Sequence, residues 1–380
     1  MNKHILIISN ELFSLINFRG SLIKHLIDTG HKVTTLAPKD KYSNHETIRK
    51  LERIGVTIMS YSLSRTGLNP FKDYLSYKSI KYVITKCNPD VVIAYTAKPV
   101  IYAGMVMKYF PKISFFPIIT GLGYGFTEAD GIKRKVIRRV MIVLYRAGLK
   151  NANSIIFQNL DDEKLFIKLK IIPKNLSSHV VHGSGVDLNL YPFSPLPKKP
   201  IFLMLARLLI DKGVREYAEA ASLVKAKFPK AVFQLAGRLD SNPSSISSSE
   251  LNFWIKKEII QYLGEISSVQ KSIANCRIYV LPSYREGTPR SVLEAMASGR
   301  PIITTDVPGC RETVTHGKNG LLVPPKNSKS LANAMMQLLE ENEDKIQSMG
   351  RESFILTKDK YNVENVNKNI INIINLKTKL

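Results

Sequence analysis

The chain has 380 residues, is 44% hydrophobic and 23% charged, and carries a formal net charge of +24. Its ordinary globular composition and its length suggest two domains, while no apolar run reaches the roughly 18 residues that would mark a membrane span. Cys87, Cys276 and Cys310 lie far apart without disulfide or zinc spacing, and the start MNKHILIISNEL is too short and too soon broken for a signal peptide, so a cytoplasmic chain with reduced thiols is expected.

The charge is uneven: residues 1–195 hold 28 Lys and Arg against 13 Asp and Glu, a net of +15, and the remainder 27 against 18, a net of +9. Nucleic acid and an anionic membrane surface are the usual partners of such charge. From the first residues, short β-branched runs alternate with helical patterns. HILIIS is followed by a helix near Phe18–Asp28, KVTTLAP by a helix near Glu46–Arg53, and VTIMSYS, DVVIAY, SFFPII, NSIIFQN and HVVHGSG continue as strands. This alternation means a parallel sheet covered by helices. Within it, Ile132 to Lys150 carries seven basic and no acidic residues, with Ile132, Val136, Ile137, Val140, Met141 and Leu144 along one helical face. Such a helix suits an anionic membrane surface; a core-facing stripe with a solvated basic back fits the same pattern.

Near Tyr191 the segment YPFSPLPKKP interrupts the alternation, and its proline and lysine density predicts an exposed connection between domains. Strands resume with IFLMLAR, AVFQLAG, RIYVLPS, PIITTD and GLLVPP, separated by helices such as Val214–Phe228 and Arg290–Ser298. SNPSSISSSE, from Ser241 to Glu250, reads as a mobile loop, and Val363–Leu376 as an amphipathic helix. The expected architecture is α/β: Rossmann-like doubly wound domains at 1–195 and 196–360, facing across a cleft, and a helix at 361–380 packing back on the amino-terminal domain. Ligands of such sheets bind beyond the carboxyl ends of the strands.

Two loops of that kind stand out. After IFLMLAR come Arg207, Lys212 and Gly213, placing two cations beside a helix amino terminus, where backbone N–H groups and side chains can hold a diphosphate; a pair of ordinary surface cations would look the same. After IYVLPS come Glu286, Gly287, Thr288 and Pro289, with Glu294 eight residues beyond Glu286. Gly287 permits close approach of a ligand, and a carboxylate at Glu294 could accept bonds from the vicinal hydroxyls of a ribose. Both glutamates could instead simply complement the helix dipole.

With these loops in hand, ARLLIDKG and EGTPRSVLE resemble the donor-binding motifs of the GT-B retaining glycosyltransferases of family 4. The stretch LPSYREGTPRSVLEAMASGRPIITTDVPGCRETVTHGKNGLLVP is similar to that family throughout, especially to its capsule and lipid-linked oligosaccharide branch, which includes N-acetylgalactosaminyltransferases. NFRGSLIKHLIDTGHKVTTLAP, SRTGLNPF, ITGLGYGFT and VHGSGVD extend the resemblance over nearly the whole chain. It implies that Arg207 and Lys212 hold the donor diphosphate, Glu294 the ribose, and Glu286 the donor sugar, with Gly287 and Thr288 in the phosphate-contacting turn. Asn17, Phe18 and Arg19 would form the loop after the first strand, and Gly121, Gly123 and Gly185 further substrate-binding positions, in an acceptor-binding amino-terminal domain. Gly121 stands where many relatives have a catalytic-loop histidine, and the double glycine common in the first loop is absent.

The resemblance further implies retention of configuration, a nucleotide-sugar donor, expected to be UDP-linked, and a polyprenyl-diphosphate-linked acceptor in bacterial surface polysaccharide synthesis. It implies no metal cofactor, and no D-x-D motif is present. The expected location is peripheral, at the inner face of the plasma membrane. Among rivals, a dehydrogenase would need a G-x-G-x-x-G turn after the first strand, where NELFSLINFRG stands. A GT-B sugar-nucleotide epimerase would consume its nucleotide sugar without an acceptor. A basic, non-catalytic nucleic-acid binder lacks zinc spacing and RNA-recognition signatures, and no nucleic-acid partner is expected.

Overall fold

The computed structural model describes all residues except 1, 39–44, 65, 66, 68, 123, 127–131, 241, 243, 267 and 376–380. Gly123 lies outside the described residues. The chain divides into two compact units, residues 1–184 with 366–380, and residues 185–365.

In the first unit, strands β1 (His4–Ile8), β2 (Lys32–Ala37), β3 (Thr57–Ser60), β4 (Val91–Tyr95), β5 (Ser114–Ile119), β6 (Ile155–Phe157) and β7 (Ser178–Val180) form a parallel sheet in the order β3-β2-β1-β4-β5-β6-β7. Its helices are α1 (Leu12–Asn17), α2 (Gly20–Asp28), α3 (His45–Arg53), α4 (Pro70–Cys87), α5 (Ala97–Val106), α6 (Ile132–Leu149) and α7 (Leu160–Lys168). Because successive side chains of a strand point to opposite faces, Ile5 and Ile7 join an apolar layer with α1, α2 and α3, whereas Leu6 and Ile8 join one with α4, α5, α6 and α7. Cover on both faces explains why Ile5–Ile8 and VVIAY are continuously apolar. The helix expected at Phe18–Asp28 is α2; an additional short helix, α1, precedes it, and Phe18 and Arg19 form the turn between them.

The second unit pairs β8 (Ile201–Leu205), β9 (Val232–Ala236), β10 (Gln261–Gly264), β11 (Ile278–Leu281), β12 (Ile302–Thr305) and β13 (Gly320–Val323) in parallel, in the order β10-β9-β8-β11-β12-β13. Helices α8 (Val214–Lys227), α9 (Ser248–Lys256), α10 (Val269–Asn275), α11 (Arg290–Ala297), α12 (Ser328–Glu340) and α13 (Glu343–Leu356) accompany it. The chain then enters α14 (Val363–Ile373), whose Val366, Ile370 and Ile371, with Ile374 just beyond it, belong to the apolar layer of β1 and α2; Asn367 donates to Ser21 at 3.0 Å.

One segment refines the sequence expectation and another departs from it: YPFSPLPKKP is largely exposed as expected, with Tyr191 buried, yet it is held by hydrogen bonds. YPFSPLPKKP is bound to the second unit: the fully buried Arg300 guanidinium donates to the carbonyls of Ser194, Pro195, Cys276 and Ser298, and Arg277 donates to Pro197 O at 2.9 Å. A buried guanidinium needs several acceptors at once, and this chain segment supplies them. The end of the serine-rich stretch, Ser247–Glu250, caps and begins a helix. Ser247 caps α9 by accepting from the Glu250 N–H at 3.2 Å while Glu250 reaches back to the Ser247 N–H at 3.1 Å, and Ile246 is buried. This reciprocal box satisfies otherwise orphaned donors. Ser247→Ala is expected to lower stability by about 1 kcal/mol, measured by urea unfolding; an unchanged midpoint would show that the box contributes nothing.

Candidate active site

In both sheets the strand order reverses once, between β1 and β4 and between β8 and β11. Such switch points open a crevice beyond the strands' carboxyl ends where ligands of α/β sheets bind. In the second unit the residues leaving β8 and β11 are those singled out from sequence: Arg207 and Lys212 after the first, Glu286, Gly287, Thr288 and Glu294 after the second.

The path from β8 to α8 is fixed by Gly213. It has φ 74°, in the left-handed region, and a Cβ there would lie 2.1 Å from Pro282 O. Only glycine fits so close to the neighbouring strand end. The turn before it is held by the Tyr284 N–H donating to Asp211 O at 2.9 Å. Lys212 is thereby set against the β11 loop, and its Nζ lies 2.5 Å from Glu286 Oε1; the Ser283 hydroxyl donates to the same oxygen at 2.7 Å. Both members of this ion pair are largely buried, with 19% and 14% of their side chains exposed. Gly309, φ 82°, packs beneath the loop: its Cβ would lie 2.4 Å from Glu286 O, and the Glu286 N–H donates to Pro308 O at 3.0 Å.

Arg207 turns elsewhere. Its NH1 is 3.2 Å from Asp240 Oδ2, beyond the end of β9, and its side chain is 46% exposed. Of the two cations expected to act together, one is therefore buried with Glu286 and the other stands at the rim with Asp240.

Glu294 lies on the second turn of α11, beyond Gly287 and Thr288, which lead into Pro289 at the helix start. Arg290, one turn earlier, donates to it at 2.9 Å, and the Tyr191 hydroxyl donates as well. Burial pushes the Glu294 carboxyl above its usual range, with Arg290 and Tyr191 pulling in the opposite direction. Arg290 also donates to Gly185 O, so Gly185 supports the Arg290–Glu294 pair through its backbone. The glycine itself answers to packing: it has φ 66°, and its Cβ would lie 2.5 Å from Val363 Cα.

In the first unit Asn17 and Phe18 are exposed beyond β1, whereas Arg19 is only 6% exposed, with its guanidinium 4.4 Å from the centre of the Tyr95 ring at the end of β4. Arg19 thus ties the two strand ends of that switch point together by a cation–π contact. Gly121 follows β5 with φ 113°.

Sequence reasoning missed Asp240, Ser283, Arg290, Tyr191 and Thr96. Arg290 was readable from its i,i+4 spacing to Glu294. Thr96, beyond β4, has φ 71° and ψ 161°, and its buried hydroxyl has no partner among the described residues. A β-branched residue in this nearly glycine-only region is strained, and such strain gathers at functional sites; propensity gives no sign of it. The buried Cys310 beside Glu286 is inert, its thiol pushed up to about 12 by burial and then by Glu286. Among the described residues no group of three or more His, Cys, Asp and Glu is placed to hold a metal ion.

Two Rossmann-like parallel sheets, each with a switch point, define an α/β protein of the GT-B type. Residues 5–159 match the glycosyl transferase 4-like family and residues 192–353 the glycosyl transferases group 1 family. The chain is 33% identical over 345 residues to a Campylobacter jejuni N,N'-diacetylbacillosaminyl-diphospho-undecaprenol alpha-1,3-N-acetylgalactosaminyltransferase, covering 86% of this chain and 87% of that protein. It is 24% identical to an Escherichia coli UDP-Gal:alpha-D-GlcNAc-diphosphoundecaprenol alpha-1,3-galactosyltransferase, over 72% of this chain and 73% of the relative. Anabaena HepE in complex with UDP-glucose shares the fold with a TM-score of 0.76, at 18% identity, over 98% of this chain and 100% of its own. The chain belongs to this family of GT-B glycosyltransferases, and it is an enzyme of that class.

Proposed function

We propose that the protein moves a hexose or N-acetylhexosamine, with retention and without a metal, from a UDP-linked donor to a polyprenyl-diphosphate-linked saccharide in bacterial surface glycan synthesis. The observation that carries this reading is the buried Lys212–Glu286 pair at the β8–β11 switch point. As the bond from sugar to diphosphate breaks, negative charge grows on the leaving phosphate, and a fixed cation there stabilises it without reorganisation. Lys212 supplies that cation and Arg207 the second, exchanging their carboxylate partners for phosphate oxygens. Glu286, released from Lys212, accepts bonds from hydroxyls of the donor sugar. It acts as an orienting group in front-face attack, with the departing phosphate taking the acceptor's proton. Trapping a glycosyl adduct on Glu286 with a slow fluorinated donor would overturn that role.

Glu294, aimed by Arg290 and Tyr191, accepts the two ribose hydroxyls. Ionised carboxylates accept better than protonated ones, and burial raises this carboxyl's pKa. Donor affinity is therefore expected to fall as pH drops through that raised value, at a pH above the usual carboxylate range. Glu294→Gln should weaken donor binding about tenfold or more and abolish this acid limb; calorimetric titrations showing the same pH dependence in both proteins would contradict the assignment.

The acceptor side favours a membrane. No helix among the described residues is long and apolar enough to cross one. Yet Ile132, Val136, Val140 and Val143 form an exposed stripe along the basic helix α6, and Phe71, Tyr74, Leu75 and Tyr82 are exposed on α4. Apolar stripes flanked by cations suit peripheral attachment to anionic lipid. The whole reading is tested by incubating the protein, with and without magnesium, with a panel of nucleotide sugars and bacterial membrane lipid extract and measuring nucleoside diphosphate release. Release that requires both a UDP-sugar and lipid, unaffected by chelator, is expected; release without acceptor, or none with any donor, would refute it.

A further inference from the structure

The carboxylate of Glu294 is held from outside its own helix. Arg290, one turn earlier on α11, donates to it through Nε and uses NH1 to reach the carbonyl of Gly185. Tyr191, the second partner, ends a turn fixed by its own N–H donating to Asp187 O at 3.1 Å and by the Asn189 N–H donating to Asp187 Oδ1 at 2.8 Å. Both partners therefore lead to residues 185–191, the first of the second unit after the chain leaves the other at Ser184.

That segment is bonded to the last residues of the same unit. Val186 and Asn362 form an isolated parallel bridge, in which the Val186 N–H donates to Tyr361 O at 2.8 Å and the Val363 N–H to Val186 O at 3.0 Å. Val186 and Tyr361 are buried, and the Tyr361 hydroxyl donates to Glu312 O. Gly185 lies so close to Val363 that no side chain fits between them. Three residues beyond Val363 the chain re-enters the first unit, at Val366. The two chain crossings are thus stapled to each other, and Arg290 joins the staple to Glu294.

A carboxylate offers about four acceptor positions. Arg290 and Tyr191 take two of them, so two ribose hydroxyls can take the others without displacing either. A carboxylate steadied by two donors presents its remaining positions in fixed directions, and a nucleotide lacking one hydroxyl leaves a buried acceptor unfilled. Resting on the assignment of Glu294 to the donor ribose, we propose that Arg290 and Tyr191 are positioning residues that make the site require both ribose hydroxyls, and that Arg290, through Gly185, couples nucleotide binding to the staple at 185–186 and 361–363. Because such coupling is reciprocal, a bound nucleotide tightens the staple, and a loosened staple weakens the nucleotide.

The test compares the wild type with Tyr191→Phe, which removes only the hydroxyl, and Arg290→Lys, which keeps the charge but loses the fork that reaches both Glu294 and Gly185. Calorimetric titration of the full chain with UDP and with 2′-deoxy-UDP reads the discrimination. Hydrogen exchange of peptides covering 185–191 and 361–366 reads the staple. The wild type is expected to prefer UDP by about tenfold or more, and saturating UDP to slow exchange in both peptides by about fivefold or more. Each variant should shrink the preference by about threefold or more, and Arg290→Lys should also lose the slowing at saturating UDP. Preference unchanged in both variants, or slowing that survives Arg290→Lys, would overturn the inference and leave Glu294 on the ribose. Equal affinity of the wild type for the two nucleotides would remove Glu294 from the ribose and the inference with it. Neither measurement involves an acceptor, so the outcome stands apart from the nucleotide-release assay.

Discussion

Lys212→Ala is expected to lower kcat by about 100-fold, the cost of removing one preorganised charge partner from a transition state. The donor KM should change much less, because the charge that Lys212 meets develops as the bond breaks. The substitution also strands Glu286 in a largely buried position, 14% exposed, and a stranded carboxylate could by itself disturb the loop. The Lys212→Ala/Glu286→Gln double variant separates these effects. If Lys212 acts on the phosphate, the double variant stays at least as slow; recovery toward wild-type rates would mean that Lys212 merely neutralises Glu286.

The second large effect is expected at Gly213. Alanine there meets two penalties at once: a left-handed backbone at φ 74° and a Cβ placed 2.1 Å from Pro282 O. Strain of this kind and overpacking each cost on the order of 1–3 kcal/mol. Gly213→Ala should therefore destabilise the protein by about 2–6 kcal/mol in urea unfolding and, by moving the turn that carries Lys212, abolish detectable donor binding at temperatures where the variant is still folded. Wild-type donor affinity in the folded variant would show that the close approach of this turn to β11 is unimportant.

Much of this arrangement is readable in the amino-acid sequence. Runs such as VVIAY and IFLML announce parallel strands because a sheet covered on both faces needs apolar residues at every position, and the loops after β8 and β11 announce themselves through glycine, proline and charge. What escaped is of two kinds. Short elements carry too few residues for a periodic signal: β10 has four residues at the sheet edge, with a shift in register after Tyr262, and α1 has six. The other kind depends on distant partners. The serines near Ser247 look like a loop until Glu250 and the buried Ile246 make them a helix cap, and YPFSPLPKKP, largely exposed as its composition suggests, gives no sign that Arg300, about a hundred residues later, claims the carbonyls of Ser194 and Pro195. The same limit applies inside the site. The Lys212–Glu286 contact joins residues 74 apart, and only their shared position after adjacent strands hinted at it. Arg207 was grouped with Lys212 by proximity in sequence, yet the strand order gives it Asp240 from the opposite neighbour, β9.

The claim at the centre of this account is that one nucleotide sugar is held beyond the carboxyl ends of β8 and β11. Its most direct test is a crystal structure of the protein soaked with a UDP-sugar that supports nucleotide release. The account predicts the diphosphate within hydrogen-bond distance of Arg207 and Lys212, the ribose hydroxyls on Glu294, and Glu286 turned from Lys212 to the sugar. A nucleotide sugar seated elsewhere, with the Lys212–Glu286 and Arg207–Asp240 pairs intact, would contradict it.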